Sequence, residues 1–163
     1  VAWWSRFPFE PVDDERVVVH LRRRERLLLA TVVARARESL LSPADPTLQR
    51  LFPTAHPDDP ARQAEWEDMA RDRLLEARFA AFDVIEATVD DEELTVDQLM
   101  VWSQGLNAIR LLLGTALDVS EDLEEVDEDD PNVADYAVYD YLGYLVDGTV
   151  RALSTHLPPD GGA

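Results

Sequence analysis

The segment Thr95-Val96-Asp97-Gln98-Leu99-Met100-Val101-Trp102-Ser103-Gln104-Gly105-Leu106-Asn107-Ala108-Ile109-Arg110-Leu111-Leu112-Leu113-Gly114-Thr115-Ala116-Leu117-Asp118-Val119 opens with the pattern Thr95-x-x-Gln98. That pattern is a capping box, in which two side chains satisfy backbone N–H groups left over at a helix start. Behind the cap, apolar residues cover almost the whole circumference. At about 100° per residue, Trp102, Leu106, Ile109 and Leu113 face one way, while Val101, Leu111 and Leu112 face others. A helix apolar on all sides is expected at the centre of a domain. It is too short and too often interrupted by polar residues for a membrane span. One polar stripe breaks the pattern: Ser103, Asn107, Arg110 and Gly114.

Working outward, the flanking segments read as further helices. Upstream, Asp59-Pro60 is a cap followed by proline in the first helical position, and opens a helix expected to run from Pro60 to Val89. Its first half is polar and of mixed charge, which places it at the edge of the domain. Before it lies a proline-rich connection, Pro43 to Pro60, in which Asp45-Pro46 starts a single turn over Thr47–Phe52. Earlier still, Leu21, Leu28, Leu29, Val32, Ala36 and Leu40 share one face of a helix ending at Ser42-Pro43, and Glu25 falls inside that apolar face. Downstream, an acidic loop from Ser120 to Pro131 precedes a tyrosine-rich helix from Val133 to about Leu157, with Asn132 as its candidate cap. At the start, Trp3, Trp4, Phe7 and Phe9 surround Pro8, and the β-branched run Val17-Val18-Val19 suits one strand of a small hairpin. The expected fold is all-α, a bundle of about four main helices plus one short helical turn, with a small N-terminal β-hairpin as an option. The organisation expected is an aromatic arm over residues 1–15, one helical domain over 16–157 and a tail over 158–163.

Composition narrows the function. The chain has 163 residues and no cysteine. A chain of this length buries roughly 70% of its unfolded surface and needs no covalent staple. Disulfides, thiolate zinc sites and cysteine nucleophiles are excluded within it. Net charge is −19. Residues 79–163 carry −18 of it, and the basic set consists of arginines alone. So acidic a second half argues against broad nucleic-acid binding, which would then be indirect at most. No signal-peptide pattern is visible, and a cytoplasmic protein is the expectation.

The chemistry-bearing motifs are mostly missing. There is no glycine-rich phosphate loop, nucleophile elbow or dinucleotide fingerprint. The histidines, His20, His56 and His156, lack metal-site spacing. No catalytic residue, cofactor or metal is expected. Two features remain. First, Asn107 and Arg110 lie within about 60° of each other on their helix. An arginine in such a helix needs a carboxylate, because an unpaired buried charge is very costly. Glu25 is the natural partner, with Asp140 and Glu86 as alternatives. Glu25, Asn107 and Arg110 are therefore expected either as an interior ion pair fixing helix register or as a pocket for an anion or small molecule. Second, Arg22, Arg23, Arg24 and Arg26 form the one basic cluster. Arg22, Arg23 and Arg26, with Arg50 and Phe52 of the proline-rich connection, are the candidate partner-binding residues.

Two segments together resemble a known family. Asp45-Pro46-Thr47-Leu48-Gln49-Arg50-Leu51-Phe52-Pro53-Thr54-Ala55-His56-Pro57-Asp58-Asp59 resembles the "DPxLxRLFPxAYxDD" segment of a small actinobacterial family. Leu106 to Val119 resembles its "LNxxRLxLGTxLDV" segment, and Tyr139-Asp140-Tyr141-Leu142-Gly143-Tyr144-Leu145 is similar to its C-terminal helix. That family carries the name AosR, oxidative stress transcriptional regulator. The resemblance implies a cytoplasmic regulator in a stress response that binds a protein partner in transcription, such as a sigma factor. The redox role of the family rests on a cysteine pair that this chain lacks. A homodimer is compatible with this reading.

Overall fold

The computed structural model describes residues 7–42, 55–119 and 128–156. Four helices and a three-stranded sheet make up the fold among these residues. The strands are β1 (Phe9–Pro11), β2 (Arg16–Val19) and β3 (Glu93–Thr95), and the helices are α1 (Arg23–Leu41), α2 (Pro60–Thr88), α3 (Val96–Ala116) and α4 (Val133–Ser154). The turn expected over Thr47–Phe52 lies outside the described residues.

Both capping signals form as their residue types dictate. The Thr95 hydroxyl accepts from Gln98 N–H at 3.1 Å while Gln98 Oε1 accepts from Thr95 N–H at 2.9 Å. At the start of α2, Asp59 Oδ1 accepts from Arg62 N–H at 3.1 Å. Asn132 stands at the N-cap position of α4, but its side chain makes no capping bond. Helix α3 ends in a tight C-terminal turn. Asp118 adopts a φ of 52°, and Val119 N–H reaches back to the Gly114 carbonyl at 2.9 Å. This is the left-handed closure that satisfies terminal carbonyls.

The N-terminal hairpin forms and is joined by a third strand. Phe9 pairs with Val19 and Pro11 with Val17, while Arg16 pairs with Thr95 and Val18 with Glu93, all antiparallel. The stretch before Thr95 reads as an acidic turn because three residues give too little alternation to mark a strand. Its one apolar residue, Leu94, points into the core. Within the first fifteen residues, then, Phe9–Pro11 belongs to the sheet.

Trp102 is the hub of the interior. Phe9 meets its ring edge-on at 6.0 Å, and its indole N–H donates to Thr88 Oγ1 at 2.9 Å. Thr88 in turn donates to the Val84 carbonyl at 2.7 Å, so the buried polar pair is fully satisfied. Helices α2 and α3 cross closely at Gly105, where an added Cβ would lie 2.7 Å from Ile85 Cδ1. One expectation needs correction: α3 is not sheathed on every side. Met100, Asn107 and Leu111 are exposed on its outer face.

Candidate functional site

The basic cluster at the start of α1 separates into two roles. Arg26 is a structural clamp. Its Nε donates to the Leu21 carbonyl (3.0 Å), its Nη1 to those of Val89 (2.6 Å) and Asp91 (2.7 Å), and its Nη2 to that of Val19 (3.3 Å). One guanidinium thus ties the end of β2, the entry to α1 and the α2–β3 turn together. That geometry uses the planar fork that only arginine offers. Arg26, expected among the partner-binding candidates, is thus engaged with the fold itself. Arg22 and Arg23 remain on the exposed surface of the first turn. Arg50 and Phe52 lie outside the described residues.

Glu25 and Arg110 are not brought together. Glu25 is completely buried. Its Oε2 accepts from Arg22 N–H at 2.7 Å, one arm of a capping box, and its Oε1 accepts from the Tyr141 hydroxyl at 3.1 Å. Burial and the adjacent carboxylate push the Tyr141 phenol well above its ordinary range, so it stays protonated and donates. Tyr144 is pushed the same way, by burial first and then by Glu25. The buried acid is thus held by a backbone N–H and a phenol instead of a cation.

Arg110 finds a different neighbour. Its guanidinium lies over the Tyr139 ring, 4.5 Å from the centroid. Beside it Gly143 leaves the room the side chain occupies, since a Cβ there would stand 3.2 Å from Arg110 Nε. One turn on, Gly114 presses against the same ring, with 2.8 Å between an added Cβ and Tyr139 Cε2. The polar stripe of α3 is therefore the seat for α4, a cation–π contact flanked by two glycines. Asn107 stands on the outside of it, exposed to solvent. The expected Glu25–Arg110 ion pair is replaced by this α3–α4 contact, in which Arg110 Nε is buried without a hydrogen-bond partner among the described residues. The physical reason is that an aromatic face can hold a half-buried guanidinium without a carboxylate.

Two more clasps shape the surface. Arg37 of α1 donates to Asp83 at 2.6 Å and Glu86 at 3.0 Å on α2, and these acids hold its guanidinium charged above the ordinary range. His156, just past α4, points Nε2 at the Asp13 carbonyl (2.8 Å) and Nδ1 at the Ala152 carbonyl (3.0 Å). Both nitrogens face acceptors, so the imidazolium fits best and the group is raised above its ordinary value.

Beside these polar clusters the described residues also form a hollow. A groove of about 320 Å³ opens where α1, α3 and the start of α4 converge. Leu28 and Val32 line it from α1, Ile109 and Leu113 from α3 and Val138 from α4, and Arg35 and Asp135 border it as a charged pair of opposite sign. The four residues Leu28, Val32, Leu113 and Val138 are only partly buried against the core. The groove lies on a different side of α3 from the Arg110 stripe, roughly 130° around the axis. Sequence periodicity places Leu28 and Val32 on an inward face. It cannot show that the helices meeting there leave that face half covered. Among the described residues, no group of three or more His, Asp or Glu is placed to hold a metal ion, and no helix is long and apolar enough to cross a membrane.

A family model described as "Domain of unknown function (DUF2017)" matches residues 6–153. No curated protein and no solved structure matches the chain.

Proposed function

The chain belongs to the DUF2017 family, and we propose that it serves as a non-enzymatic interaction module whose α1–α3–α4 groove receives an apolar segment of a protein partner. The half-covered apolar groove carries this reading. Its aliphatic lining and bordering Arg35 and Asp135 suit an amphipathic helix that brings two or three apolar side chains and a charge of each sign. Exposed Arg22 and Arg23 lie on the same helix as Leu28 and Val32, and offer a peripheral contact for an acidic partner. The resemblance to the AosR family makes a transcription component such as a sigma factor the partner of choice. Regulation by a cysteine pair has no counterpart in this chain.

The experiment is direct binding between the purified chain and the purified sigma factors of its host, followed by calorimetry. Val32→Glu or Leu113→Glu should weaken binding at least tenfold, and Asn107→Ala, on the other side of α3, should leave it unchanged. Equal binding by all four proteins, or no binding to any sigma factor, removes the proposal.

A second reading rests on the size of the same groove. A volume of about 320 Å³ falls at the lower end of small-molecule pockets. A sensor of a small apolar acid, with Arg35 as the counter-charge, would show ligand-dependent thermal stabilisation that Arg35→Ala removes.

A further inference from the structure

We infer that His156 is a proton-operated latch, which as an imidazolium bolts the β1–β2 turn to the C-terminal end of α4 and on deprotonation lets that turn go. The inference is independent of the groove and of what fills it.

The contact joins two distant parts of the chain at a helix end. Helix α4 closes at Ser154, and His156 lies two residues on. Its ring stands between two carbonyl oxygens. Nδ1 is 3.0 Å from that of Ala152 in the last turn of the helix, and Nε2 is 2.8 Å from that of Asp13 in the β1–β2 turn. A carbonyl oxygen only accepts, so each contact is a hydrogen bond only while the nitrogen facing it carries a proton. A neutral imidazole has a single N–H. Either tautomer therefore aims a lone pair at one of the two carbonyl oxygens. The Thr155 hydroxyl does not repair this. It lies 3.2 Å from Nδ1, but its hydrogen is given to the Ala152 carbonyl at 2.7 Å.

The surroundings favour the charged ring as well. The end of α4 carries the negative pole of the helix dipole, where a cation is stabilised. From the hairpin, the carboxylates of Asp14 and Asp13 face the ring. The Asp13 carboxylate is itself held by Arg16, whose Nε and Nη2 donate to it at 2.9 and 2.7 Å. The other ties of the turn do not depend on a proton lost near neutrality. The Glu15 carbonyl accepts from Val96 N–H at 3.0 Å, and Asp13 Oδ1 accepts from the N–H groups of Glu15 and Arg16 at 3.0 and 2.8 Å. His20 pairs with Glu10 at 2.7 Å inside the hairpin and does not touch α4 through that contact. Release is therefore local. Strands β1 and β2 stay paired, Phe9 stays against Trp102, and the tip of the turn swings about them. The ring is charged below its own titration point and neutral above it, so the latch is closed on the acid side and opens as pH rises through that point.

The test is NMR of the whole chain at about pH 6 and about pH 8, one on each side of an ordinary histidine. At the lower pH, Overhauser contacts between the His156 ring and the Asp13 backbone should be present; at the higher pH they should be lost. Carbon relaxation of the Asp13 and Asp14 backbone should give an order parameter of about 0.85 at the lower pH, falling below about 0.6 at the higher. Leu106 and Ile109 in the core should stay rigid at both. His156→Ala should leave Asp13 and Asp14 mobile at both pH values, and His20→Gln should keep the full response of the parent. The inference fails if the Overhauser contacts persist at the higher pH, or if the turn is equally rigid at both. It fails also if His20→Gln abolishes the response, which would move the switch to the Glu10 pair. Loosening of Leu106 and Ile109 together with the turn would overturn it too, since the event would then be unfolding of the domain and not release of one turn.

Discussion

The Tyr141 hydroxyl donates to Glu25 Oε1 across 3.1 Å, joining α4 to the first turn of α1 over 116 residues of sequence. Both side chains are sealed from solvent. Tyr141→Phe removes one of the two donors to a buried carboxylate and should lower unfolding stability by about 2 kcal/mol. Glu25→Gln should cost a similar amount, because its amide group faces a donor at one of the two positions. Urea unfolding measures both. A Tyr141→Phe protein as stable as the parent would mean that the carboxylate is satisfied by other means.

Arg26 gives a sharper contrast. Its four bonds to backbone carbonyls link three segments, so Arg26→Ala should destabilise by about 3 kcal/mol. Arg26→Lys should recover less than half, since an ammonium cannot spread over carbonyls on two sides. Arg23→Ala, on the exposed face, should fall within about 0.5 kcal/mol of the parent. Thermal unfolding of the three proteins side by side decides the ranking. If Arg23 proves as costly as Arg26, the division of the cluster is wrong.

Two helical glycines should behave in opposite ways. At Gly105 an added methyl meets Ile85 at 2.7 Å in a closed core. Overpacking there should outweigh the helix propensity gained, and Gly105→Ala should lose about 1–2 kcal/mol. At Gly143 the neighbour is the Arg110 side chain at 3.2 Å, which can shift. Gly143→Ala should be close to neutral, the propensity gain of about 1 kcal/mol offsetting a weakened stack on Tyr139. Chemical denaturation midpoints distinguish the two.

His156 introduces a dependence on pH. Its folded value lies above the ordinary 6.5 because two carbonyls accept from its ring, with Asp14 and Asp13 adding to the effect. A raised value means that the stabilisation is fully present below pH 6.5 and is lost as pH rises through the folded value. The stability difference between the parent and His156→Gln should therefore be larger at pH 6 than at pH 8.5. Proton NMR of the His156 ring should titrate above 6.5. A titration at or below 6.5 would show that the Asp13 contact forms with the neutral ring.

The helices were legible because caps and periodicity are local. Thr95-x-x-Gln98 and Asp59-Pro60 mark helix starts that the structure reproduces, and Trp102, Leu106 and Ile109 are buried as their spacing implies. The partners of polar residues were less legible. The sequence shows that Glu25 and Arg110 each need something, but pairing opposite charges is only one solution. Here a phenol serves the acid and an aromatic face serves the guanidinium. Strand β3 and the groove were unreadable for a related reason. Three residues carry no period, and the groove is lined by side chains of α1, α3 and α4 that are far apart in the chain.

The sheet and the end of α4 impose an order on synthesis. Pro8 packs on Gly148, and the Asp13 carbonyl waits for His156, 143 residues later. Emerging from the ribosome, Phe9, Val17 and Val19 precede by far the helices that will cover them. The nascent chain must shield these side chains until translation has delivered α4. A message that stops short of Gly148 leaves a sticky fragment, and its natural fate is the cell's proteases.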